Sequence, residues 1–157
     1  MKVPDYTTLD TPELLDAYVK SEWTKDCRID RSNLDQESAQ VPELHNKFYR
    51  LFRLSRHFLY VREHAYTEFR TLRHQYWSGK LDEQQRRQFG WDPQPLKLSA
   101  PDIKEYLISD PVLHQAHESV EKAQELKDTL EEIVKNINMR NYAIKNTLDA
   151  LRWSQGQ

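Results

Sequence analysis

Apolar residues recur every three or four positions through the long stretches that lack glycine and proline, the period of a helix with one buried face. In the first stretch the apolar side runs through Leu44, Phe48, Leu51, Phe52, Phe58, Leu59, Ala65, Phe69, Leu72 and Tyr76, so a long helix is expected to bury it against other helices. The other side of this helix is a stripe of Tyr49, Arg53, Arg56, Tyr60, Thr67, Arg70, His74 and Trp77. A second long pattern starts at Leu113. In heptads with Leu113 at a, the a positions are Leu113, Val120, Lys127, Val134, Asn141 and Leu148. The d positions, all apolar, are Ala116, Ala123, Leu130, Ile137, Ile144 and Leu151. Leu126 and Ile133 at g widen the stripe beyond a two-stranded seam, so each such helix is expected to touch more than one neighbour. The polar residues Lys127 and Asn141 at a are expected to set register.

Local signals bound these helices. Thr11 is a cap with Pro12 at the first helical position, opening a short helix to about Trp23 whose apolar side is Leu14, Leu15, Tyr18 and Val19. A polar segment from Lys25 to Gln40 is read as a turn and another short helix, with Pro42 opening the long basic helix. Ser78-Gly79 should stop that helix, and Gly90 should stop a short polar one from Asp82 to Phe89, because glycine takes the left-handed conformation without a Cβ penalty. Two prolines in Asp92-Pro93-Gln94-Pro95 forbid continuous helix. Ser99-Ala100-Pro101-Asp102 and Asp110-Pro111 read as two further capped starts, and no glycine or proline follows until Gly156. The fold expected is all-α. It divides into an N-terminal helical domain over residues 1–92, a linker over 93–98 and a C-terminal helical oligomerisation region over 99–157.

Composition supports helix: 31% of the 157 residues are charged and only 3 are glycine. A mean hydropathy of −0.91 is lean for a compact monomer, so some apolar surface is expected to be buried between copies. The helix from Leu113 to Leu151 also looks too long to be wrapped by one small domain. The alternative is that it folds back on the N-terminal helices as a long hairpin. No run approaches a membrane span, and residues 1–9 lack the apolar core of a signal peptide, so a soluble, cytoplasmic protein is expected. A single cysteine, Cys27, excludes an internal disulfide framework and a thiolate metal cluster within one chain.

Charge is what singles out the first long helix. The chain carries −2 overall, yet Glu43 to Lys80 carries +5, whereas residues 1–42 carry −4 and residues 102–134 carry −6. Lysine and arginine bind phosphate with release of counterions, and exposed rings stack on bases of any identity, so this stretch is a candidate surface for single-stranded nucleic acid. The candidate contacts are Arg53, Arg56, Tyr60, Arg70, Arg73, His74, Trp77 and Lys80. A run of arginines on a helix is more often just its solvated face. Here only Glu63 and Glu68 interrupt the run, too few for local pairing to neutralise it. His114 and His117 stand three apart, with Glu118 and Glu121 beyond, but a zinc site needs three or four converging ligands, so they are read as solvated helix residues. Three isolated glycines form no phosphate loop, and no nucleophile pattern accompanies the histidines, so neither an enzyme nor a bound metal or cofactor is expected.

Three segments in this order and spacing, Arg73-His74-Gln75-Tyr76-Trp77-Ser78-Gly79, Leu98-Ser99-Ala100 and Arg140-Asn141-Tyr142-Ala143-Ile144-Lys145, resemble the UvsY recombination mediators of tailed phages. The resemblance runs from Lys25 onward and includes Ile29-Asp30 and Leu44 to Lys47. It implies a non-enzymatic homo-oligomer, a ring-like hexamer or heptamer, acting in the host cell cytoplasm. Such a protein binds single-stranded DNA and helps a RecA-like recombinase replace the single-strand-binding protein. The family's basic-x-basic pair before the aromatic-aromatic-Ser-Gly turn falls here on Thr71 and Arg73, with Arg70 as the candidate substitute for the first. The family's oligomerisation segment corresponds to the C-terminal helix, which makes Val120, Ala123, Leu126, Leu130, Ile133, Ile137, Ile144, Leu148 and Leu151 the candidate oligomerisation residues. The other reading left open is a structural helical oligomer, such as a phage assembly scaffold or chaperone, whose basic stripe grips an acidic protein.

Overall fold

A computed structural model describes residues 8–94 and 96–154. The expected roles of Pro95, Gly156 and residues 1–7 lie outside them. Five helices account for the fold, with no strand among the described residues: α1 (Pro12–Asp26), α2 (Leu34–Trp77), α3 (Glu83–Phe89), α4 (Ala100–Ile108) and α5 (Pro111–Ser154). No helix is long and apolar enough to cross a membrane.

The ends follow the local chemistry of the sequence. The Thr11 hydroxyl accepts from the Leu14 amide at 3.2 Å, satisfying one of the donors a helix start leaves open. At the end of α2, Gly79 takes φ 69°. Its amide bonds the Tyr76 carbonyl at 3.0 Å, and the Lys80 amide bonds that of Gln75 at 2.9 Å, a Schellman closure that needs the left-handed residue. Gly90 closes α3 in the same way at φ 66°. Ser99 and Asp102 form a capping box that opens α4. Asp110 caps α5, its Oδ1 accepting from Val112 N at 3.0 Å and Leu113 N at 3.4 Å.

Pro42 corrects the expected start of the basic helix. It lies inside α2, which begins eight residues earlier at Leu34. An interior proline removes one backbone hydrogen bond and costs about 3 kcal/mol. The segment stays helical because Leu34, Val41 and Leu44 are buried in one core with Ile137 and Ile144, and Glu37 is bonded to Arg140 at 2.6 Å.

The chain forms two compact units. One holds residues 8–59 and 123–154; the other holds residues 60–122, so α2 and α5 each contribute to both. The core of the first joins Leu15 and Val19 of α1, Phe48 and Leu51 of α2, and Leu126, Leu130, Ile133, Ile137 and Ile144 of α5. Within this unit α5 folds back on the N-terminal helices, as in the hairpin alternative. The row it buries there is d with g, not a with d. Val134 and Leu148 at a are half-buried, Lys127 pairs with Asp128 and Glu131 near the surface, and Asn141 is exposed. The register role expected of Lys127 and Asn141 therefore has no buried seam to act on in this unit. Arg140, at g, reaches inward instead. Its guanidinium donates to the carbonyls of Asp26 and Arg28 at 2.8 and 2.6 Å and to Glu37, tying α5 to the turn after α1.

The second unit is held by aromatic packing. Trp91 receives Phe69, Tyr76 and Phe89 with ring centroids 6.0, 5.3 and 4.8 Å away, while Leu81, Ile103 and Leu113 are buried.

Candidate nucleic-acid interface

The basic surface of α2 is smaller than its charge count. Lys47 is buried, its ammonium 2.6 Å from Glu22 and 2.7 Å from Asp26. Burial alone would lower its pKa, but the two carboxylates outweigh this and raise it above the ordinary 10.5. Bonds from Lys25 and then Lys47 hold Glu22 below its usual range. Lys47 thus joins α1 to α2 and is not part of a phosphate-binding face.

Arg73 departs further from expectation. Only 9% of its side chain is exposed, and its Nε lies 2.5 Å from Oδ2 of Asp110, whose side chain has no exposed surface. The guanidinium carbon lies 4.6, 4.9 and 5.4 Å from the ring centroids of Trp91, Tyr76 and Trp77, within cation–π range of all three. Trp77 donates its indole N–H to the same carboxylate at 3.2 Å and packs on Tyr106 at 4.7 Å. Burial by itself would raise the pKa of Asp110. The bonds from Arg73, Trp77 and Val112, with the Arg73 charge, outweigh burial and hold the carboxyl below its ordinary value. Of the expected DNA contacts, Arg73 is thus buried and Trp77 half-buried, both engaged with Asp110. The Arg-His-Gln-Tyr-Trp run that closes α2 is here a clasp on the cap of α5, because a guanidinium enclosed by three rings and a buried acid cannot reach a phosphate in water.

What remains exposed is still basic and aromatic. In the first unit Arg50, Arg53 and Arg56 face solvent with Tyr49, and none of the three arginines forms an ion pair among the described residues. In the second, Tyr60, Arg70, His74 and Lys80 are exposed and Arg62 is half-exposed. Tyr60, at 65% exposure, leaves most of its ring open to a stacking partner. Arg50, absent from the expected contacts because it lies off the chosen stripe, is as open as Arg53.

A groove of about 250 Å³ lies within the second unit. Arg70 of α2, Lys104 of α4, and His114 and His117 of α5 form its rim; Tyr66, Leu107 and Leu113 are among the residues beneath. The His117 ring meets Tyr66 at 5.2 Å, and its Nδ1 lies 3.5 Å from Glu121. Among the described residues no group of three or more His, Cys, Asp or Glu is placed to hold a metal ion.

The candidate oligomerisation residues divide by burial. Ala123, Leu126, Leu130, Ile133, Ile137 and Ile144 are buried in the chain's own core, Val120 and Leu148 are half-buried, and Leu151 is exposed. The large apolar residues left open near the end of α5 are Met139, Tyr142, Leu151 and Trp153, the last at 83% exposure.

No curated protein and no solved structure matches the chain. Residues 22–157 match the family described as recombination, repair and ssDNA binding protein UvsY, a span that takes in all of α2 to α5. An all-helical chain matched over that length, with unpaired arginines and open rings along its first long helix, belongs to the UvsY family of recombination, repair and single-stranded-DNA-binding proteins.

Proposed function

We propose that the chain is a recombination mediator. Several copies assemble into a ring-like hexamer or heptamer, hold single-stranded DNA on the exposed cations and rings of α2, and help a RecA-like recombinase replace the single-strand-binding protein in the host cytoplasm. The observation that carries this reading is the set of unpaired arginines, Arg50, Arg53, Arg56 and Arg70, beside exposed Tyr49 and Tyr60 in a chain of net charge −2. DNA contact belongs in this reading to residues 1–92 and assembly to residues 99–157. Family membership favours it over a scaffold that grips an acidic protein.

One copy offers weak binding: about 1–3 kcal/mol per stacked base and a salt slope of about −0.7 per neutralised phosphate. Linking copies makes later contacts intramolecular, so avidity exceeds the affinity of one site by roughly 10² to 10⁴. A strand held at several points is bent or wrapped, a form that the competing coating protein tolerates poorly. Because the core of the first unit uses most of the d and g rows, assembly falls in this reading to the outward side of α5, where Met139, Tyr142 and Trp153 are open, and to Leu151 at the exposed end of the d row. A fluorescence titration with labelled oligonucleotides at rising salt tests the reading: binding should weaken linearly on a log–log plot, and absence of affinity at low salt eliminates it. Light scattering that finds only single chains removes the ring.

A further inference from the structure

We infer that the groove rimmed by Arg70, Lys104 and His114 is a nucleotide subsite, taking one phosphate of single-stranded DNA at the two permanent cations and the attached base against the apolar floor. It rests on the single-stranded-DNA reading and extends it beyond α2 to α4 and α5. Residues 102–134 form the most acidic stretch of the chain at −6, yet no carboxylate lines the groove that this stretch helps to build. Asp110, three residues before Leu113, is held by Arg73 and Trp77, and Glu121 lies 3.5 Å from Nδ1 of His117. Arg70 and Lys104 form no ion pair among the described residues and are both exposed. Two uncompensated cations from different helices facing one depression are an anion-binding arrangement that the charge balance of the chain does not by itself produce.

The rest of the lining suits a base. Tyr66 is half-buried with its ring fixed edge-on by His117, Leu113 is buried beneath, and Ile108 stands open at 64% exposure. The space of about 250 Å³ falls below the roughly 300–1,000 Å³ of pockets that enclose free drug-sized ligands, so it fits one unit of a polymer. Only a single strand offers unpaired bases to such a floor, since a duplex keeps its rings stacked inside. Arg70 belongs both to the exposed row of α2 and to this rim, which makes the groove a continuation of the same cationic track within its unit.

The test is anisotropy of labelled oligothymidylate with the full chain from about 50 to 200 mM salt. Lys104→Ala is the variant, Lys104→Arg the rescue, and Lys122→Ala, exposed on α5 outside the groove, the charge-matched control. Loss of one phosphate contact should reduce the salt slope by about 0.7 and weaken binding about fivefold at about 0.1 M salt. Lys104→Arg should restore both quantities, and Lys122→Ala should change neither. If the unaltered chain binds and Lys104→Ala matches it, or if Lys122→Ala loses as much, the groove is not a subsite and the α2 reading survives. If the unaltered chain fails to bind at the lowest salt, both fall.

Discussion

Arg73→Ala removes the guanidinium that faces a carboxylate with no exposed surface, 2.5 Å away. A buried acid deprived of its ion partner costs about 3–5 kcal/mol, because the remaining charge has neither water nor a counter-charge. Asp110 would keep the indole N–H of Trp77 and the amides of Val112 and Leu113, which places the loss near the lower end, about 3 kcal/mol. The three rings around the guanidinium would lose a cation as well. With a urea slope of about 1–3 kcal/mol per molar, the unfolding midpoint should fall by at least about 1 M. The assay is urea unfolding followed by far-ultraviolet circular dichroism, at one protein concentration throughout, since the stability of a self-associating chain depends on concentration. Arg70→Ala, exposed and unpaired, is the companion and should shift stability by no more than about 0.5 kcal/mol while weakening DNA binding. The double variant Arg73→Ala with Asp110→Ala should lose less than the sum of the singles, since neither leaves a partner stranded. Should Arg73→Ala unfold at the unaltered midpoint yet lose more DNA affinity than Arg70→Ala, the clasp would be wrong and Arg73 would belong to the phosphate surface.

Arg53→Ala with Arg56→Ala should lower the salt slope of oligonucleotide binding by about 1.4, with an unchanged urea midpoint; an unaltered slope would put the strand elsewhere. Acidification should destabilise the chain. Glu22 and Asp110 titrate below their ordinary 4.5 and 3.8 in the fold, so the unfolded chain takes up protons first. Their contribution is therefore full above about pH 4.5 and lost as pH falls through the lowered values, and a urea midpoint that rises on acidification over that range contradicts the assignment. Ile137→Asp should unfold the first unit by burying a charge at a position 1% exposed, whereas Trp153→Asp should leave helicity intact and reduce the mass seen by light scattering. The reverse pattern would mean that the seam between copies is the d row after all.

The parts legible in the sequence are those decided by a few neighbouring residues. Thr11, Ser99 and Asp110 each offer an oxygen to amides two or three positions on, and Gly79 and Gly90 take a backbone conformation other residues avoid, so these helix ends needed no tertiary information. The d row of the last helix was also readable as a buried stripe. Pro42 misled because its cost is local and fixed, while the packing of Val41 and Leu44 that outweighs it comes from residues about a hundred positions away. The ion pair of Arg73 was illegible for the same reason: nothing within a turn of it is acidic, and its partner lies 37 residues on.

By itself, then, the sequence determined the helical class, most of the helix ends and a surplus of cations on one helix, because helical periodicity, capping and side-chain charge are properties of short segments. Only the tertiary structure decided which cations stay in water and which face of the last helix is buried within the chain, because both depend on what the folded chain brings within a few ångströms. Lys47 and Arg73 lie off the stripe that holds Arg53 and Arg56, but what takes them out of water is an acid folded against each of them.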